Sequence, residues 1–241
     1  MSIHLVGGGS DLSAAGDVYG RFLAEATARA VGVGRAVPRV AVLAVGAADA
    51  ADGLAALVGA AGSADLVPHV VAAGETFDTS VLSEVDALAV AGGRTPDYAA
   101  AVAPLVDQIR LLVSDSLPYL GFSAGAMIAA DRALVGGFRI GGVDVCPADA
   151  GEGLDEVEFQ EGLGLVDLAI DVHAAQAGSL SRMVAAAEAG LLAGGVAIDE
   201  DTVLIVGEGA LEVRGSGSVW RIIAAEDTEG DQFVSVATMG A

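Results

Sequence analysis

Gly121-Phe122-Ser123-Ala124-Gly125 fits the pattern G-x-S-x-G. That spacing suits a nucleophilic serine on a sharp strand-to-helix turn, where small neighbours leave room for a strained backbone. The apolar run Pro118 to Phe122 predicts a strand before it, and an Ala-rich helix is expected from about Ala124. Ser123 would then stand at the strand's carboxyl end with a helix N-terminus aimed at the site. That dipole favours developing negative charge, and the backbone N–H of Ala124 is placed to help bind an oxyanion.

A serine hydroxyl needs a base, and the chain has only three histidines. His4 falls in the first apolar run and His69 in another beside Pro68, so both read as sheet residues. His173 ends the run Ala169-Ile170-Asp171-Val172 and precedes a helical segment. It is therefore the candidate base, expected at the same sheet edge as Ser123. A carboxylate should orient the imidazole. Asp199, Glu200 and Asp201 follow the apolar run Val196-Ala197-Ile198 and supply three candidates. The histidines are scattered and Cys146 has no partner at ligand spacing, so neither a metal nor another cofactor is expected.

The elements that must position these residues alternate between strand and helix. Strands are predicted over residues 3–6, 39–45, 64–73, 86–91, 118–122 and 166–172. Helices are predicted over about 18–31, 50–60, 95–112, from 124, and over 180–191. Pro104 lies inside the third helical pattern and should kink or divide it. The run from Arg39 to Val45 is β-branched and continuous, as in a strand covered on both faces of a parallel sheet. Beyond residue 133 the texture becomes loop-like, with an acidic stretch from Asp149 to Glu161. Short strands at 196–198, 203–206, 211–213, 219–223 and 233–236 read as an antiparallel meander. The fold class is α/β, a largely parallel sheet flanked by helices with C-terminal antiparallel strands, in a single domain over residues 1–241.

Composition narrows the partners. With 33 acids and 11 bases, every base an arginine, the 241 residues carry a net charge of −22. A field of that sign repels phosphate backbones and anionic lipid, so neither nucleic acid nor membrane is an expected partner. No uncharged apolar run reaches the ~18 residues of a membrane span. The N-terminal residues show neither a basic segment nor a small-residue cleavage site, so no signal peptide is expected. One unpaired cysteine suits a reducing cytoplasm. Missing lysine fits either a GC-rich coding bias or a salt-adapted surface.

Four segments together resemble the cyanophycinase and peptidase E family of serine peptidases, cyanophycinase being the nearer branch. They are Val6-Gly7-Gly8-Gly9, Ala91-Gly92-Gly93-Arg94-Thr95, the elbow extended to Ala126, and Asp171-Val172-His173 with Ala197-Ile198-Asp199-Glu200-Asp201-Thr202. Gly162-Leu163-Gly164-Leu165 and Gly215-Ser216-Gly217-Ser218-Val219 also look like that branch. The resemblance implies a class I glutamine-amidotransferase-like fold, with serine where amidotransferases carry cysteine. It implies Ser123 as nucleophile, His173 as base, Glu200 as orienting acid and Gly93 as the second oxyanion donor. The order Ser, His, Glu separates the chain from α/β-hydrolases.

Specificity departs from that branch. Cyanophycinases typically read Asp-Gln-His-Phe before an Arg-Gly-Arg-like stretch. Here Val172 and Ala174 flank His173, Ala177 and Ser179 stand at two arginine positions, and only Arg182 remains. The resemblance therefore implies hydrolysis of small peptides or isopeptides, diverged from the β-Asp-Arg storage polymer. A family member that binds a small ligand without turnover is the second reading, and a homodimer is left open. At least one of Arg94 and Arg182 is expected to hold a substrate carboxylate, since guanidinium suits bidentate carboxylate binding. An acidic or free-carboxylate peptide would then be preferred.

Overall fold

The computed structural model describes residues 2–226 and 232–240. Its strands are β1 (Ser2–Val6), β2 (Arg39–Val45), β3 (Asp65–Val71), β4 (Ala87–Val90), β5 (Tyr119–Phe122), β6 (Arg132–Gly136), β7 (Arg139–Ile140), β8 (Val143–Asp144), β9 (Glu158–Glu161), β10 (Ala169–Val172), β11 (Gly194–Ile198), β12 (Thr202–Gly207), β13 (Glu212–Gly215), β14 (Ser218–Glu226) and β15 (Gln232–Gly240). The α-helices are α1 (Ala15–Gly32), α2 (Ala48–Ala61), α3 (Thr95–Val102), α4 (Val106–Ser114), α5 (Ala124–Met127) and α6 (Leu180–Glu188). Pro104 lies in a short 3-10 turn between α3 and α4, so the expected helix is divided there.

The principal sheet runs β13-β12-β1-β5-β4-β2-β3. β1, β5, β4, β2 and β3 are parallel; β12 pairs antiparallel with β1, and β13 antiparallel with β12. β4 is wholly buried and β2 nearly so, as expected of strands covered by helices on both faces. β3 is the edge, and its half-exposed alternation tolerates Pro68, whose missing N–H costs no ladder bond there. His4 is buried in β1 and His69 lies in β3.

Two expectations need correction. The C-terminal strands are not one meander on the parallel sheet. β12 and β13 join it, whereas β14 and β15 pair with β11 in a second sheet of order β10-β11-β14-β15. The strand that ends at His173 belongs to this second sheet. The end of β1 stitches the two together: successive carbonyls of Val6 and Gly7 accept the backbone N–H groups of Ser123 (2.9 Å) and His173 (3.0 Å). Furthermore, the helix after Ser123 is one turn, not a long segment. The carbonyls of Ile128, Ala129 and Ala130 are taken by the N–H groups of Leu163, Leu165 and Gly164, so the helix cannot propagate.

Among the described residues no helix is long and apolar enough to cross a membrane. Among the described residues nine arginines pair with carboxylates within 4.0 Å; eleven bases in all leave most of the 33 acids uncompensated. Salt shortens the reach of that repulsion from about 10 Å at 0.1 M to about 3 Å at 1 M. The melting temperature should therefore rise between low salt and about molar potassium chloride. Relief of about 1 kcal/mol would read as roughly 2–4 °C in a chain of this size. A flat or falling trend in differential scanning fluorimetry would show the charges to be spaced harmlessly.

Candidate active site

Ser123 sits between β5 and α5 with φ 52° and ψ −112°, a left-handed backbone that costs a non-glycine residue about 1–3 kcal/mol. Sequence explains how it is held. A Cβ on Gly121 would overlap the Gly125 carbonyl, and one on Gly125 would overlap the Val90 carbonyl. Both glycines are therefore needed for the chain to turn this tightly. The Tyr119 hydroxyl donates to the Gly125 carbonyl (2.7 Å), and the Tyr98 hydroxyl donates to that of Gly92 (2.8 Å).

Ser123 Oγ lies 2.9 Å from His173 Nε2, and His173 Nδ1 lies 2.7 Å from Glu200 Oε1. Of the three acids after β11, Glu200 alone reaches the imidazole. Asp199 is a staple, accepting the N–H groups of Ala175 (3.0 Å) and Ser218 (2.9 Å) and the Trp220 indole N–H (3.0 Å). Asp201 accepts the Asp11 N–H at 3.0 Å. Glu200's own N–H donates to the Gln176 side-chain carbonyl at 3.0 Å, which ties the acid to the loop after His173. The N–H groups of Gly93 and Ala124 donate to no described residue. Free amides beside a nucleophile are suited to receive an oxyanion.

These groups open on a cleft of about 800 Å³ that Ser123, His173 and Glu200 line together. Six described non-glycine residues have positive φ, and three of them, Ser123, Glu152 and His173, line this cleft. Strain concentrated this way marks functional sites. Among the described residues no three His, Cys, Asp or Glu side chains are grouped to hold a metal ion.

A family model, Peptidase family S51, matches residues 63–214. The chain belongs to peptidase family S51. The match covers the elbow, His173 and Glu200 and supports a peptidase, the family's type being serine. A comparison with curated proteins finds no match.

The two arginines expected near the cleft of this S51 chain differ in how far they are already engaged. Arg182 lines the cleft but is only 2% exposed. Its Nε and Nη2 donate to Asp171 (2.8 and 2.7 Å), and its Nη1 donates to the carbonyls of Gly137 (2.9 Å) and Ala150 (2.6 Å). Four of its five N–H groups are thus committed to partners within the protein, which makes it a structural tie. Arg94 lies outside the cleft lining. Its Nε donates to the Glu152 carbonyl (2.9 Å) and its Nη1 to Asp97 (2.7 Å).

Two residues carry roles that their sequence context did not reveal. Gly8 faces His173, and a Cβ there would overlap the imidazole. The Gly7-Gly8-Gly9 run reads as a simple strand stop because the partner is 165 positions away. Glu152 lies in the stretch read as an acidic loop, yet it is part-buried on the cleft wall, and burial holds its carboxyl above its ordinary pKa.

Proposed function

We propose that this chain is a serine-type peptidase or isopeptidase acting on small peptides, with Ser123 as nucleophile, His173 as general base and Glu200 as the orienting acid. What carries the reading is the continuous relay of two contacts, 2.9 and 2.7 Å, from Ser123 through His173 to Glu200. A carboxylate at Nδ1 favours the tautomer protonated there, leaving the Nε2 lone pair for the serine hydroxyl. As Ser123 Oγ attacks a carbonyl carbon, His173 takes its proton. The oxygen that becomes negative is received by the N–H groups of Gly93 and Ala124. His173 then gives the proton to the leaving amine, and water repeats the sequence on the acyl-enzyme. The chemistry asks for no cofactor.

The cyanophycinase-like branch is part of this proposal, with a changed specificity. Val172 and Ala177 form cleft wall where that branch carries polar or basic groups. Arg94 is the one arginine of the expected pair still able to meet a substrate carboxylate, being half-exposed with no described partner for Nη2. The test is a fluorophosphonate probe on the folded protein. We expect one label, on Ser123, located by peptide mass spectrometry. A folded protein that takes no label would favour ligand binding without turnover.

A further inference from the structure

The wall of the cleft opposite in charge to a cation is built around one carboxylate that the proposed reaction does not use. Glu152 follows a 3-10 turn (Ala148–Gly151) and adopts φ 58°. Its backbone carbonyl accepts Arg94 Nε (2.9 Å), and its Oε2 accepts the N–H of Thr95 (3.2 Å) at the start of α3. Gly136 packs under its Cβ so closely that a side chain there would clash at 2.7 Å. The residue is therefore held at its backbone, its Cβ and one carboxylate oxygen. Its Oε1 has no hydrogen-bond partner among the described residues and is not sealed from solvent.

Charge makes that open oxygen informative. Arg182 is the one arginine among the residues lining the cleft, and Asp171 neutralises it. Asp49 and Asp149 add charge of Glu152's sign to the same lining. A carboxylate whose charged form is penalised by burial gains most from a cationic partner. We infer that Glu152 is a specificity-determining residue that receives the N-terminal ammonium of a peptide substrate through Oε1. A guanidinium fork is the poorer fit, because it wants both carboxylate oxygens and Oε2 is already engaged by Thr95. This reverses the preference expected from Arg94 and Arg182: the cleft selects a free amine before it selects a carboxylate.

The inference rests on the peptidase reading for its meaning but is tested by binding alone. A randomised tripeptide pool is equilibrated with the Ser123→Ala protein, and retention is read by mass spectrometry against the same pool with hydrogen in place of the N-terminal amine. The free-amine pool should be retained about tenfold to a hundredfold better, the worth of one charged hydrogen bond. Ser123→Ala/Glu152→Gln should abolish that preference, and Ser123→Ala/Glu152→Asp, which keeps the charge, should retain part of it. Equal retention of the two pools by the Ser123→Ala protein, including none of either, overturns the inference. So does a preference that survives in the Gln variant, or one that follows lysine or arginine side chains irrespective of the N-terminus. Fluorophosphonate labelling of the wild type separates failure of this inference from failure of the peptidase reading.

Discussion

Ser123→Ala and His173→Ala should each lower kcat by about 10⁴- to 10⁶-fold, and the double variant should be scarcely worse than either. In the proposed mechanism the three groups act as one relay, so removing any part should remove proton transfer to and from the attacking oxygen. Glu200→Gln should cost less, about 10²- to 10⁴-fold, because the imidazole keeps its contact with Ser123 but loses the charge that fixes its tautomer. Stability should move in a different pattern. Ser123→Ala leaves the left-handed backbone strain in place, so its melting temperature should stay near that of the wild type. Ser123→Gly should be more stable than Ser123→Ala, by up to about 1 kcal/mol, since glycine takes φ 52° without a Cβ clash. The check is kcat on a peptide pool together with denaturant melts. Additive losses in the double variant would break the relay reading.

The parallel half of the fold was legible because its signal is local. β2 is a seven-residue strand, apolar at all but Arg39, and the sequence places it at the residues observed. Ser123 was legible for the same reason: strand, elbow and helix start lie within ten residues. His173 was found partly by scarcity, with three histidines to choose from. What failed was whatever depends on distant partners. The helix after Ser123 stops at Met127 because a loop 35 residues later takes the carbonyls of the residues that would continue it, Ile128 to Ala130, and an Ala-rich run contains no sign of that. β9 reads as acidic loop because three of its four residues are polar. Its pairing with β6, where Arg132 lies 4.2 Å over the Phe159 ring, becomes apparent only in three dimensions. The division of the C-terminal strands between two sheets has no local signature either, since it is set by the partners they meet, β1 for β12 and β11 for β14.

Arg182 sits where two different roles are open to it. The sequence places it on the helix after His173, near the cleft, and offers it as a candidate for holding a substrate carboxylate. In the fold it joins Asp171 with side-chain exposures of 3% and 0%, and it also holds the carbonyls of Gly137 and Ala150. The two roles predict opposite experiments. If Arg182 held the substrate, Arg182→Ala would raise KM and leave the melt unchanged. If Arg182 is a buried tie, the same variant strands the Asp171 carboxylate without its counter-charge, which costs about 3–5 kcal/mol. We expect the second outcome, a melting temperature lower by roughly ten degrees. Arg182→Lys should rescue only part, because an ammonium cannot serve both Asp171 oxygens and two carbonyls in one plane. Asp171→Leu/Arg182→Met should recover more than Arg182→Ala, since it removes the stranded charge. It should not recover fully, because the Gly137 and Ala150 carbonyls and the Val172 N–H, which donates to Asp171 at 2.9 Å, lose their partners. An Arg182→Ala protein as stable as the wild type, with KM raised for carboxylate-bearing peptides, would return this residue to the substrate.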